Sequence, residues 1–321
     1  MKRQQFIQSM LGLCASSALG ISKPAWAAQN FKMMIPANPG GGWDTTARAF
    51  GKAMQEAKLA DAIQFENKGG AAGAIGLAQF ITSAKGDENA LMMMGAVMLG
   101  GLITSKAPVS LSQCVPIARL TSEYNVFVLP ADSPLRSMKD VVAAMRKDPG
   151  SVKFGGGSRG STEHIAACML ARVAGIDPKK VNYVPFRGGG EAVAAIVSGN
   201  VSVGGSGYSE FAEHIKSGKM RAIGVTSERR IQGIDVPTLK EQGLNVILGN
   251  WRGLYAAPGI SVQQQAELIR LVGAAAKTKL WQETMTKNGW TPAYMSGKEF
   301  ADFVDYEFTS LRAIMYLSGM L

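Results

Sequence analysis

The feature that most constrains how this chain can fold is a pattern that runs through it twice: a short apolar run, a glycine cluster, then a stretch with helical spacing. In the first half, residues 31–35 lead to Gly40, Gly41 and Gly42; residues 63–65 lead to Lys68, Gly69 and Gly70; residues 91–94 end at Gly95. In the second half, residues 152–154 lead to Gly155, Gly156 and Gly157; residues 181–185 lead to Arg187, Gly188, Gly189 and Gly190; residues 201–203 end at Gly204 and Gly205. The first glycine and the basic residue are 28 and 32 positions apart in the two halves, and the third element follows after 27 and 17. Apolar runs alternating with helices specify an α/β architecture with largely parallel sheets. The duplication predicts two related lobes, and the glycine loops fall at the carboxyl ends of the strands, where open α/β sheets hold their ligands. Two such edges facing each other make a clamp. Short crossings near residues 117–122 and 225–227 would be its hinges, giving lobe I as 28–121 with 227–321 and lobe II as 122–226. The tail, with a strand-like run at 246–248 and helical stretches at 262–277 and 298–317, is expected to return to lobe I.

Residues 1–27 stand apart from this scheme. Lys2 and Arg3 precede an apolar stretch at 6–21, and Ala25-Trp26-Ala27 forms an A-x-A cleavage pattern, so the segment reads as an export leader. Leu13 before Cys14 is bulkier than a lipoprotein signal accepts. Removing the leader's three cations lowers the formal net charge from +10 to +7. A basic surface attracts anions, but no Lys/Arg blocks interleaved with aromatics occur, so acidic small molecules fit better than nucleic acid. Cys114 and Cys168 are too few for a disulfide framework and read as two buried thiols. No later run reaches membrane-spanning length.

The glycine loops carry the chemistry. A glycine-rich turn entering a helix presents free N–H groups and about half a positive charge to an anion. Asp44 fits a helix N-cap, because Ala47, Phe50, Met54 and Ala57 follow at helical spacing, which puts Thr45 and Thr46 in the first turn. Trp43, beside the turn, reads as a cleft wall, and Tyr208 has a similar claim. Ser158, Ser161 and Thr162 place hydroxyls near the next helix start. Arg187 and Lys68 are either solvated charges or ligand-steering groups, and Trp251 with Arg252 either faces the cleft or forms an ordinary turn.

Two enzyme patterns overlap at residues 155–160. Gly155-Gly156-Gly157-Ser158-Arg159-Gly160 fits G-x-G-x-x-G, but Arg187 stands where a ribose-binding acid would be needed. Gly156 to Gly160 fits the nucleophile elbow, making a secreted serine hydrolase using Ser158 the rival reading, with Asp177 and His214 its only simple trailing pair. His164 and Cys168 have i, i+4 spacing without the cysteine, histidine or acidic company of a metal site, so His164 reads as a packing residue. His214 reads as surface. No metal or cofactor is expected.

Taken together, "PGGGWD", "FGGGSRGSTEH", "GGSGYSEF", "TSERR" leading to "DVPTLKEQGL", and "WRGLYAAPG" resemble the periplasmic receptors of tripartite tricarboxylate transporters, the Bug family, and "PGGGWD" its tricarboxylate-binding branch. The resemblance implies a periplasmic-binding-protein fold, type II-like, with two lobes closing on a carboxylate such as citrate. It implies no catalysis. By the same resemblance Gly41, Gly42, Trp43, Asp44 and Thr45 pinch the ligand against Ser158, Gly160, Ser161 and Thr162, while Ser206 and Tyr208 help select it. A monomeric receptor would deliver its cargo to a two-component membrane permease. Gly69 and Arg159 depart from the family pattern, and Arg159 is either a solvated loop charge or a guanidinium fork for a third carboxylate.

Overall fold

The computed structural model describes residues 29–321, so the expected leader at 1–27 lies outside the described residues. The first set of elements is β1 (Asn30–Ile35), α1 (Gly42–Glu56), β2 (Ala62–Asn67), α2 (Ala74–Ser83), β3 (Ala90–Gly95) and α3 (Ala96–Ser105), followed by the long strand β4 (Val115–Pro130). The second set is α4 (Met138–Lys147), β5 (Lys153–Gly156), α5 (Thr162–Val173), β6 (Asn182–Pro185), α6 (Gly189–Val197), β7 (Val203–Gly207), α7 (Tyr208–Lys216) and β8 (Met220–Val225). The chain then returns through β9 (Gly249–Ala256), α8 (Val262–Ala276), α9 (Lys279–Asn288), β10 (Thr291–Ser296) and α10 (Gly297–Leu317).

The repeat in the sequence is a repeat in the sheet. The strand order β2-β1-β3 on one side is matched by β6-β5-β7 on the other, with every pair inside each triplet parallel. Between the triplets run β9 and β4, both antiparallel to their neighbours. The sheet is therefore mixed, and the expectation of largely parallel pairing holds only within the triplets. β4 belongs to both sides: up to Tyr124 it pairs with β9, and from Asn125 it pairs with β7. The expected crossing at 117–122 falls earlier than this change of partner. Those residues lie inside β4, flanked by β9 and β10. At the other expected crossing, 225–227, Thr226 Oγ1 donates to the Leu248 carbonyl at 2.8 Å and accepts from the Asn125 N–H at 3.1 Å, and the chain comes back to bridge Val225 at Thr238 before β9 begins at Gly249.

Local sequence explains the elements. β3, ALMMMG, is buried throughout, as a strand covered on both faces must be. Its methionines are unbranched and fill irregular space between layers. α1 buries Trp43, Ala47, Phe50 and Met54 on one face, and Phe50 meets Trp281 of α9 edge to face at 5.0 Å. Each such ring buried contributes roughly 1.5–3 kcal/mol, so the returning tail is anchored on the first triplet's side. The run at 246–248 is not a strand: Val246 and Leu248 are buried in extended chain, and pairing begins only at Gly249. The buried cysteines Cys114 and Cys168 are free thiols.

Candidate ligand-binding site

The loops at the carboxyl ends of β1 and β3 face those after β5, β6 and β7 across a cleft of about 100 Å³. This is below the roughly 300–1,000 Å³ common for small-molecule pockets, because the two rims touch. A Cβ on Gly189 would lie 3.5 Å from the Gly41 Cα, and one on Gly188 would lie 3.3 Å from the Asn38 Cβ.

The β1 side is built by backbone turns. Gly40 adopts φ +85°, a conformation only glycine takes cheaply, and α1 begins at Gly42 with Gly41 as N-cap. Asp44 is therefore not the N-cap. It lies in the first turn and reaches back to the Gly40 N–H at 3.0 Å, while also accepting from Arg48 Nε at 2.9 Å and Asn67 Nδ2 at 3.0 Å. Its carboxylate is spent on holding the turn.

Beneath Gly42 lies a buried ion pair. Arg252 on β9 bonds Glu123 on β4, donates to Thr46 Oγ1 at 2.8 Å and stacks over Trp290 at 5.4 Å. Glu123 also accepts from Ser209 Oγ at 3.0 Å, and Ser209 accepts from Trp290 Nε1 at 3.2 Å. Both charges are about 98% removed from solvent, and burial lowers the Arg252 pKa to about 9. Such a pair is costly to break, since either partner alone would be a buried unpaired charge.

The opposite wall carries two more acids, Glu163 buried and Glu210 half-buried. Glu210, in the first turn of α7, accepts from Ser206 Oγ, and the Gly42 and Gly207 amides beside it lower its pKa against the effect of burial. Its Oε1 lies against the N-terminus of α1 across the cleft, 3.2 Å from where a Cβ on Gly42 would stand, and 3.3 Å from a Cβ on Gly189 at the start of α6. Burial pushes its pKa up to about 8. Glu163 sits in the first turn of α5. Burial raises its pKa against the lowering effect of the Ser161 and Thr162 hydroxyls, and its Oε2 has no hydrogen-bond partner. Asn250 Oδ1, from β9, is a second buried acceptor without a partner.

The second glycine loop is fixed from behind. Gly160, φ +81°, packs its backbone against Gly100 of α3 and donates its N–H to His164 Nδ1 at 3.1 Å. Ser161 caps α5, and Tyr183 donates to the Gly157 carbonyl at 2.8 Å while stacking on His164 at 4.3 Å. Burial, reinforced by Arg159, lowers the His164 pKa to about 4, so the ring is a neutral packing residue. Among the described residues no group of three or more His, Cys, Asp or Glu could hold a metal ion.

Residues 46–319 match the family described as tripartite tricarboxylate transporter family receptors, TctC. The chain belongs to this receptor family. The receptor's fold is that of solved periplasmic binding proteins. BugD shares 21% identity over 91% of this chain and 98% of its own, with a TM-score of 0.82. MatC of Rhodopseudomonas palustris, solved with malate, shares 22% over 89% and 98% with a TM-score of 0.78. Another R. palustris protein, solved with adipate, shares 18% over 92% and 98% with a TM-score of 0.82. The family is one of solute receptors, not enzymes, so the serine hydrolase reading falls. The geometry agrees: Asp177 caps a short turn through the Lys179 N–H, His214 lies in the last turn of α7, and neither lines the cleft with Ser158.

The receptor brings only part of the expected set together. Gly41, Gly42, Trp43, Ser158 and Ser206 line the cleft, and so does Arg187. Asp44, Gly160, Ser161 and Thr162 instead support the loops from behind. Thr162 is fully buried beside Asn125, 3.4 Å from its Oδ1. Thr45 is exposed, because α1 turns it away. Arg159 is also exposed and borders an adjoining hollow with Ala71, Thr104 and Ser105, which shares Ala72 and Ser158 with the cleft. Tyr208 lines another depression beside Ser227 and Trp290. Trp251 donates to Glu307 at 3.2 Å and packs on Phe300 and Phe303 in the core. Glu163, Glu210 and Asn250 were missed from the sequence, although an acid in "SGYSEF" and an arginine within an apolar strand both imply buried partners.

Proposed function

We propose that this receptor binds a small di- or tricarboxylate, citrate-like in character, in the periplasm and delivers it to the two-component membrane permease of a tripartite tricarboxylate transporter. Residues 1–27 serve as its export leader, residues 28–121 with 227–321 form one lobe, residues 122–226 form the other, and the lobes close as a monomer. The observation that carries the reading is the seat occupied by Glu210. A carboxyl group already spans the cleft there, its Oε1 set against the starts of α1 and α6 and its pKa lowered by the Gly42 amide against the effect of burial, which is the chemistry that suits a ligand carboxylate. Arg187 adds positive charge on the rim, and the relatives solved with malate and adipate hold dicarboxylates in the same fold. Among the described residues no helix is long and apolar enough to cross a membrane, as a freely diffusing receptor requires.

The test is titration calorimetry with a series of di- and tricarboxylates and with an uncharged sugar. Two or three charge-assisted bonds at about 1.5–3 kcal/mol each reach the roughly −8 kcal/mol of a micromolar constant. Saturable heat with carboxylates and none with the sugar is expected; the converse would refute the reading.

A further inference from the structure

Among the described residues that line the cleft, two buried polar atoms have no hydrogen-bond partner, and both are acceptors. Glu163 Oε2 stands on the wall after β5, where a Cβ on Gly157 would come within 3.3 Å of it. Asn250 Oδ1 stands on β9. The residues carrying them are only 6% and 4% exposed, and both line the cleft. An acceptor left unpaired in a dry site carries its full desolvation cost, and more when it belongs to an acid. A ligand offering only carboxylate oxygens would bring further acceptors and leave both atoms as they are. One that also carries a donor would satisfy them.

From this we infer that the ligand is a carboxylate bearing a hydrogen-bond donor, a hydroxyl or an ammonium group, and that Glu163 is the residue that reads it. The inference rests on the receptor reading above and narrows it. The site's other acids sharpen the selection. Glu210 faces Glu163 closely enough to raise its own pKa through their mutual repulsion, and Glu123 is committed to Arg252 and Ser209. Among the described residues no hydrogen bond reaches Glu163 Oε2: Ser206 donates to Glu210, and Arg252 is taken by Glu123 and Thr46. A donor on the ligand fills that place. The carboxylate end is left to the glycine amides and Arg187.

Matched pairs test this, because the two members differ in one group. Calorimetry would compare citrate with propane-1,2,3-tricarboxylate, malate with succinate, and aspartate with succinate, on the wild type, Glu163→Gln and Glu163→Ala. The donor-bearing member of at least one pair should bind the wild type roughly tenfold or more tightly, the value of one bond to a charged group. That ratio should fall toward one in Glu163→Ala and lie between in Glu163→Gln. The unsubstituted ligand should change by less than about threefold. Each ratio is taken within one variant, so a loss of stability common to both ligands cancels. Preference for aspartate over malate would identify ammonium as the donor, and the reverse would identify hydroxyl. Equal affinity within every pair, or a preference unchanged by both substitutions, would overturn the inference while leaving a carboxylate receptor standing. Absence of binding by every carboxylate would instead overturn the receptor reading, and this inference with it.

Discussion

Gly42→Ala places one methyl group at the point where the cleft floor is tightest. The added Cβ would come to 2.7 Å from the Arg252 Cζ and 3.2 Å from Glu210 Oε1. Non-bonded carbons settle near 3.5–4.0 Å, so the guanidinium must retreat by about 1 Å. Its 2.8 Å bond to Thr46 would then open to roughly 3.8 Å, beyond hydrogen-bonding range. Overpacking costs about 1–3 kcal/mol, and weakening a buried pair moves the cost toward the 3–5 kcal/mol of breaking one. Alanine's better helix propensity returns at most about 1 kcal/mol, so the clash wins by about 3 kcal/mol. For a chain of this size a loss of that order lowers the melting temperature by roughly 5 °C. Gly40→Ala is the control: its Cβ meets nothing within 4 Å, and only the left-handed backbone, about 1–2 kcal/mol, opposes it. Scanning calorimetry of the two variants decides the matter. A Gly42→Ala protein melting within about 2 °C of the wild type would refute the reasoning about the floor.

Two further outcomes follow from the same geometry. Glu210 titrates near 8 when folded, against the ordinary 4.5; between those values the folded state keeps a proton that the unfolded state has lost. Its contribution is therefore fully present below about pH 4.5 and declines as pH rises toward 8, by at most about 1.4 kcal/mol per unit. Urea unfolding of Glu210→Gln across that window should show a flatter profile, and an identical decline in both proteins would contradict the assignment. Arg159→Ala should change the affinities for tricarboxylates and dicarboxylates alike by no more than about 0.5 kcal/mol, as expected for an exposed charge; calorimetry showing a selective loss for tricarboxylates would return Arg159 to the site.

The architecture was legible in the sequence because it is written in local patterns. Each glycine cluster after an apolar run marks a strand end, and the structure puts those ends on opposite rims of one cleft. What the sequence did not convey was direction. Tyr208 and Glu210 are two residues apart at the start of α7, hence about 200° apart around the helix, so when Glu210 enters the cleft Tyr208 must leave it. Helix phase moved the acid at 44 in the same way: starting α1 at Gly42 rather than after Asp44 turned an expected cap into an interior brace. The pair Glu123 and Arg252 joins strands 129 residues apart in sequence, and no local pattern announces such a partner. Burial of Glu163 is likewise a product of β5 and β7 converging. In "GSTEH" it looks like an ordinary acid in a first helical turn, where the helix dipole favours one.

The central claim is that two glycine-rich rims close around a carboxylate that neither could desolvate alone. Small-angle scattering on the protein without ligand and at saturating concentrations of the tightest-binding carboxylate measures that closure. A smaller radius of gyration with the carboxylate, and no change with an uncharged sugar, is the result this account predicts. An unchanged profile at proven saturation would contradict the clamp.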